Sequence, residues 1–358
     1  MTSKTMPEGS PKIAIVCAGA VGAHVGGHLT KAGYAPILVD FWPEHVEAMR
    51  RNGLRLTGMT EPECFTQPVE AWHITELEKL SRERPVDIAF VCAKSYDTVW
   101  ATEMIRQYLA PDGFVVSLQN SINEERIAGV VGWGKVVGTI ASLIAVELHA
   151  PGEVRRHVQL GGARHTVFRV GEPHGRVTDR AQLVAEMLSH VDSSKATTNL
   201  WGERWSKLVI NAMRNPMSAA TGLGGNEADR LDYTRRLAIR IAGEAIRTGF
   251  AHGFALETLY GMEPARIAEA AEGSNEAMAE IEDVLERNAQ GRAGSQRPSM
   301  GQDIQKGRRT EIDHINGLVV DYADRLGLAA PANRAIIEIV KLVERRELAP
   351  APENVRHI

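Results

Sequence analysis

The stretch Lys12-Ile13-Ala14-Ile15-Val16-Cys17-Ala18-Gly19-Ala20-Val21-Gly22 decides the fold of this 358-residue chain. Its first five residues are an apolar, β-branched run of strand length. The run stops at a glycine-rich turn, followed by helix-compatible sequence through Lys31. Gly33 ends that helix, and Pro36 to Val39 (PILV) reads as a second buried strand closing at Asp40. One βαβ unit is thereby complete. Further apolar runs at Val86 to Val91 and Phe114 to Leu118 alternate with helical patterns, which predicts a parallel sheet with helices on both faces over residues 11 to about 125.

The β-rich runs between Lys135 and Val170 (VVGTIASLIAVEL and HTVFRVGE) are joined by Pro151-Gly152 and Gly161-Gly162 and read as strands extending that sheet. Beyond Thr198 the apolar period is helical, around 200–219, 228–253, 263–290, 311–326 and 332–346. Gln290 to Pro298 (QGRAGSQRP) is the most loop-like stretch there and reads as a mobile rim. The chain is long for one hydrophobic core. The expected architecture is α/β: a doubly wound, Rossmann-type dinucleotide-binding domain over 11–195, then an all-helical domain over 199–350 for substrate and dimerisation.

Composition narrows the partners. Apolar residues at 44% and charged residues at 24% are ordinary for a globular protein. A net charge of −4, a pI near 6.3 and the lack of a dense Lys/Arg run argue against nucleic acid. The apolar segment Val130 to Val146 is broken by glycines, Trp133 and Lys135, so no membrane helix is expected. The amino end, MTSKTMPEGSPK, lacks the apolar core of a secretory signal, and a cytoplasmic location follows by default. Cys17, Cys64 and Cys92 are odd in number and widely spaced, indicating reduced thiols with neither a disulfide framework nor a metal site.

A pyrophosphate needs backbone N–H donors at a helix start with no side chain in the way. In the turn Cys17-Ala18-Gly19-Ala20-Val21-Gly22, Gly19 and Gly22 hold the second and third glycine positions of a dinucleotide fingerprint, and Cys17 replaces the first. A turn required only for packing is the alternative. Asp40, 18 residues after Gly22, can accept the adenosine ribose hydroxyls and would repel a 2′-phosphate, so NAD fits better than NADP. Phe41, Trp42 and Pro43 offer no arginine to hold a phosphate, although His45, Arg50 and Arg51 lie further on. A turn or capping aspartate is the other reading of Asp40. Farther along, Lys207, Asn211 and Asn215 are spaced i, i+4, i+8 and share one helix face.

Four more segments complete a pattern: Val91-Cys92-Ala93-Lys94; Leu118-Gln119-Asn120; Trp205-Ser206-Lys207-Leu208 with Asn211 and Asn215; and Ser299-Met300 followed by Thr310-Glu311-Ile312-Asp313-His314-Ile315-Asn316-Gly317. With the glycine turn, they make the chain resemble the ketopantoate reductase family over nearly its whole length. The resemblance implies an NAD(P)-dependent oxidoreductase that transfers hydride between the nicotinamide and the carbonyl or carbinol carbon of a small oxo or hydroxy acid. It implies Lys207 as general acid in reduction and base in oxidation, with Glu311 orienting substrate and lysine. Ser299, Asn211 and Asn215 would hold substrate oxygens, Lys94 and Asn120 would meet cofactor and substrate, and Asp313 and Asn316 would be structural.

The departures bear on the substrate. No basic residue follows the second strand, Ser121 stands where an Asn-Gly pair is usual, and sequence is added between Gly58 and Pro85 and over Glu263 to Pro298. If NAD is the cofactor, oxidation of a hydroxy acid in a catabolic route is at least as well supported as reduction. Trp72, Trp100 and Trp133 are candidate pocket aromatics, but large aromatics at such positions are more often core, and the three take no assignment. Two alternatives stand beside the family reading: an opine-type dehydrogenase acting on a C–N bond, for which His252 and His314 are available, and a regulator that senses NAD without catalysis. Surplus apolar helix in the second domain points to a homodimer.

Overall fold

The computed structural model describes residues 10–290 and 297–358, and they form two units, one ending at Leu200 and one running from Trp201 to Ile358. In chain order the first unit contains β1 (Ile13–Val16), α1 (Ala20–Lys31), β2 (Ile37–Asp40), α2 (Pro43–Asn52), β3 (Leu54–Thr57), β4 (Phe65–Gln67), β5 (Glu70–His73) and β6 (Val86–Val91). It continues through α3 (Thr98–Arg106), β7 (Leu109–Ser117), α4 (Glu124–Val131), β8 (Val136–Ala141), β9 (Val146–Ala150), β10 (Glu153–Arg156), β11 (Phe168–Gly171), α5 (Asp179–Ser189) and β12 (Ser194–Thr197).

Eight strands form one sheet in the order β12-β11-β8-β7-β6-β1-β2-β5, parallel throughout except where β11 meets β8. The strands are apolar on both faces, and their alternation separates two cores. Ile13, Ile15, Ile88, Phe90 and Val116 face one side, with Val25 and Leu29 of α1 and Leu188 of α5. Ala14, Val16, Ala89, Val91 and Val115 face the other, with Ala101 and Ile105 of α3 and Ile127 of α4. That is the doubly wound arrangement read from the sequence.

The expectation that all strands between 135 and 170 extend this sheet is corrected. Leu143 (φ +56°) and Ala145 (φ +40°) break the apolar run after β8. β9 and β10 then leave as a hairpin through Gly152 and join β3 and β4 in a separate sheet of order β4-β3-β10-β9. This small sheet packs closely on α1: a Cβ on Gly27 would lie 2.9 Å from Leu56 Cδ1 and 3.0 Å from Leu54 Cδ2, so a side chain there would have to displace both leucine ends. The added sequence between Gly58 and Pro85 supplies β4 and β5, the edge strands of the two sheets.

The same packing buries His24, whose ring stands 4.7 Å from that of His28. Neither ring nitrogen of His24 has a hydrogen-bond partner. Burial holds the His24 pKa well below the usual imidazole range and lowers that of His28 to about 4. Of the three unassigned tryptophans, Trp72 is buried, whereas Trp100 and Trp133 are 42% and 51% exposed. Trp100 stands in the first turn of α3 and Trp133 in a short 3-10 turn, and neither ring belongs to the two cores.

The second unit is helical. It comprises α6 (Leu200–Thr221), which begins at the boundary, α7 (Gly225–Arg230), α8 (Asp232–Ala251), α9 (Pro264–Ala271), α10 (Asn275–Gln290), α11 (Ser299–Gln305), α12 (Ile312–Arg325) and α13 (Pro331–Glu344). The period over 263–290 divides into two helices at Gly273, whose φ of +102° closes α9. Of the loop-like stretch 290–298, Gln290 ends α10 and Pro298 precedes α11, while residues 291–296 lie outside the described residues. Among the described residues no helix is long and apolar enough to cross a membrane.

Buried polar contacts set the registry of these helices. The Glu244 carboxylate of α8 accepts the N–H groups of Ala332 and Asn333, both at 2.9 Å, capping α13. Asn333 Nδ2 donates to Glu244 Oε2 at 2.8 Å, and Asn333 Oδ1 accepts from Asn316 Nδ2 at 3.0 Å. Asn316 Nδ2 also donates to the Ala212 carbonyl of α6 at 3.1 Å. Pro216, inside α6, has no N–H to offer the carbonyl four residues earlier, and that carbonyl belongs to Ala212. The Asn316 side chain replaces the missing donor.

Two measurements test this description. Cys17 closes β1 in the left-handed region at φ +62°, where a β-branched side chain is strongly disfavoured. Cys17→Val is therefore expected to lower the urea midpoint by the equivalent of about 1–3 kcal/mol relative to Cys17→Gly, and equal midpoints would contradict the turn. Because the His24 and His28 pKa values are lowered by folding, the unfolded chain binds the extra protons. Stability is complete above pH ~6.5 and declines as pH falls toward about 4, by up to about 1.4 kcal/mol per pH unit per group. Between pH 7 and 4.5, His28→Gln should lose about 1–2 kcal/mol less than the unmodified chain.

Candidate active site

In the first unit the expected residues gather at the carboxyl edge of the sheet. After Val16 the chain turns sharply: the Ala18 N–H donates to the Val39 carbonyl at 2.9 Å and the Gly19 N–H to the Cys17 carbonyl at 2.8 Å. α1 then begins at Ala20, with Gly19 as its N-cap and no side-chain cap. The first-turn N–H groups, those of Ala20, Val21 and Gly22, are thus left without a capping side chain, and the helix dipole favours an anion there. A Cβ on Gly19 would meet nothing within 4 Å, so the turn offers open space where a pyrophosphate would rest. A Cβ on Gly22 would press to 3.1 Å from Ile15 Cγ2 and Cys92 Cβ, which explains glycine at the helix–strand contact. The turn fits a dinucleotide.

His45 fastens this turn from behind. It is fully buried; its Nδ1 lies 2.9 Å from the Gly152 N–H, which can only donate, so Nε2 carries the proton and donates to the Ala18 carbonyl at 3.0 Å. Burial lowers its pKa and keeps the ring neutral. The sequence had left His45 among distant basic residues, because the partner at Gly152 is more than a hundred positions away. Arg50 is also committed elsewhere: its Nε donates to the Ala71 carbonyl at 2.8 Å, and it pairs with Glu47 and Glu76. Arg51 reaches Glu47 at 3.6 Å.

Asp40 ends β2 and is 5% exposed. Its Oδ1 accepts the Trp42 N–H at 2.9 Å, an Asx-type contact that orients the carboxylate. Burial raises its pKa, opposed by that N–H and by His45.

Lys94 follows β6 and opens a short 3-10 turn, its carbonyl accepting the Asp97 N–H at 2.9 Å. Asn120 follows β7, and its carbonyl accepts from Asn123 Nδ2 at 2.8 Å. Gln119 joins the two strand ends by donating to the Ala93 carbonyl and to Thr98 Oγ1, both at 2.8 Å. Gln119, Asn123 and Ser95 thus position Lys94 and Asn120. Their importance lies in hydrogen bonds between separate loops, which no spacing reveals. Ser121 has φ +67°, so the left-handed geometry suited to glycine persists at this departure from the family pattern.

In the second unit, Lys207, Asn211 and Asn215 lie on α6 as expected, with both amides buried and Lys207 half-buried. Ser299 opens α11, and the buried Glu311 is the N-cap residue of α12, the helix whose Asn316 holds the Ala212 carbonyl next to Asn211. Asp313 pairs with Lys341 at 2.7 Å at a partly exposed site. His252 Nε2 contacts the Tyr322 carbonyl at 2.9 Å within a cluster of Trp205, Phe254 and Tyr322, a packing environment.

Both units match known proteins. Residues 13–168 match the family described as ketopantoate reductase PanE/ApbA, and residues 199–344 match its C-terminal domain. The 2-dehydropantoate 2-reductase of Archaeoglobus fulgidus is 30% identical over 338 residues, covering 93% of this chain and 98% of the relative. A solved PanE/ApbA family ketopantoate reductase from Ralstonia eutropha JMP134 superposes with a TM-score of 0.75 at 28% identity, covering 94% of this chain and 99% of that one. D-mandelate dehydrogenase, solved with NADH and anilino(oxo)acetate, shares the fold with a TM-score of 0.75 at 22% identity, covering 94% and 98%. With matches over both units and along nearly the full length of these relatives, the chain belongs to the ketopantoate reductase family and is an oxidoreductase acting on a CH–OH group.

Proposed function

We propose that this chain interconverts a small 2-oxo acid and its hydroxy acid with a nicotinamide cofactor, NAD in preference to NADP, and that it works as a hydroxy-acid dehydrogenase as readily as a reductase. The carrying observation is that Asp40, set by the Trp42 N–H at the end of β2, is followed by Phe41, Trp42 and Pro43 rather than by an arginine or lysine that could receive a 2′-phosphate, and Arg50 is spent on Ala71, Glu47 and Glu76. A carboxylate there accepts ribose hydroxyls and repels a phosphate. The nicotinamide supplies or takes up the hydride. The first unit would carry the dinucleotide on the turn of Cys17, Gly19, Ala20, Val21 and Gly22. The helical unit would carry the substrate.

Lys207 is assigned as the proton donor to the carbonyl oxygen in reduction and the acceptor in oxidation, with Glu311 orienting it. Asn211, Asn215 and Ser299 are assigned to substrate oxygens, and Lys94 and Asn120 to the junction of cofactor and substrate. Support comes from α6, which presents the lysine and two buried amides one turn apart, so that a substrate oxygen would meet donors fixed by the helix rather than by a loop. Membership in a family of CH–OH oxidoreductases favours this reading over an opine-type dehydrogenase and over a regulator without catalysis. A homodimer in the cytoplasm completes the proposal.

Initial rates with NAD(H) and NADP(H), in both directions and over a panel of 2- and 3-hydroxy acids and 2-oxo acids, test the cofactor and the direction. At least a tenfold higher kcat/KM with NAD(H) is expected, and a clear preference for NADPH would overturn that assignment. Lys207→Ala should lower kcat by roughly 10²–10⁴-fold while dinucleotide binding persists. Undiminished turnover on the true substrate would remove Lys207 from the mechanism.

A further inference from the structure

Two large aromatic side chains stand in solvent at the edge of the sheet where the glycine turn lies. Phe41, the residue after Asp40, is 53% exposed, and Trp100, in the first turn of α3, is 42% exposed. Their rings meet edge to face, with centroids 6.3 Å apart and planes at 76°. Val99, beside Trp100, is 48% exposed and widens the apolar patch.

Neither core uses these rings, and a contiguous exposed apolar patch on an enzyme commonly marks a binding surface. Their place in the topology says which. β1 lies between β2 and β6 in the sheet. Phe41 leaves the end of β2, Trp100 belongs to the helix that follows β6, and their contact spans the carboxyl end of β1, where the turn at Gly19 begins α1.

The backbone beneath Phe41 is held on both sides. Its carbonyl contacts His73 Nε2 at 3.1 Å, and Asp40 Oδ1 takes the Trp42 N–H at 2.9 Å. Trp42 turns the other way and stacks on the buried His45, with centroids 5.9 Å apart and planes at 27°. Phe41 is thus presented outward from a fixed strand end rather than from a loose loop.

We propose that Phe41 and Trp100 form an aromatic shelf for the adenine base of the dinucleotide, supplying by stacking the adenosine affinity that a basic residue paired with a 2′-phosphate would otherwise provide. This rests on the dinucleotide reading of the glycine turn. Asp40 receives the ribose, the base is attached directly to that ribose, and the residue next to Asp40 is an aromatic ring open to solvent. A purine offers a flat π-face, and aromatic stacking on a base does not depend on charge. The contribution of the base to binding would accordingly depend little on ionic strength.

Titration calorimetry with three probes tests the shelf: NADH, ADP-ribose, which carries the adenosine half, and nicotinamide mononucleotide, which lacks it. Phe41→Ala and Trp100→Ala should each weaken NADH and ADP-ribose by roughly 5- to 100-fold and leave nicotinamide mononucleotide unchanged. Trp100→Phe should restore most of the affinity. Both positions are solvent-exposed, and a melting curve checks that each variant folds. If the variants bind ADP-ribose as the unmodified chain does, or lose nicotinamide mononucleotide equally, the shelf is wrong while the dinucleotide site stands. If the unmodified chain binds neither NADH nor ADP-ribose, the site itself is wrong and the shelf falls with it.

Discussion

The carbonyl of Ala212 is the point on which the helical unit turns. Pro216 deprives it of its helical donor, and a bare buried carbonyl in the middle of α6 would cost about 1–3 kcal/mol. Asn316 fills the gap at 3.1 Å and shares its amide group with Asn333, which is bound in turn to Glu244. One polar chain therefore fixes α6, α8, α12 and α13 against each other. Apolar packing alone tolerates sliding by a fraction of a turn; a hydrogen-bond chain with defined partners does not. The helix carrying Lys207, Asn211 and Asn215 is held at a single register, as is the start of the helix headed by Glu311.

The first unit solves the same problem at its glycine turn by another route. Cys17 bends the chain through the left-handed region, and the strained turn is restrained by the Val39 carbonyl in front and by the neutral His45 behind. In both units a polar side chain remote in sequence supplies what the local backbone lacks. The residues that would contact ligands are ordinary types made specific by such supports.

This division explains what the sequence could and could not disclose. β1, its turn, α1 and β2 were legible because strand period, glycine spacing and the closing acid are local signals that agree with one another. The helical character beyond Thr198 was legible for the same reason. The small sheet was not: β3 and β10 pair in parallel about a hundred positions apart, and an alternating strand looks the same whichever sheet it joins. Nor was the service performed by His45, Gln119 or Asn316, whose partners lie on other elements. Gly273, inside a helical period, could have signalled the break between α9 and α10. The exposure of Trp100 was not legible either, because aromatic residues are usually buried.

The small sheet also constrains the order in which the chain can mature. β3 and β4 are made early, yet their sheet stays a two-stranded hairpin until β9 and β10 arrive, and an isolated hairpin is marginal in water. Until then α1 lacks the layer that buries the side of the helix bearing Gly27, and the glycine-rich segment stays loosely held on one side. The turn that heads α1 also waits for Gly152, the residue that completes the bridge through His45. A ribosome-bound chain therefore carries every residue of its glycine turn before Gly152, which braces that turn through His45, has been made.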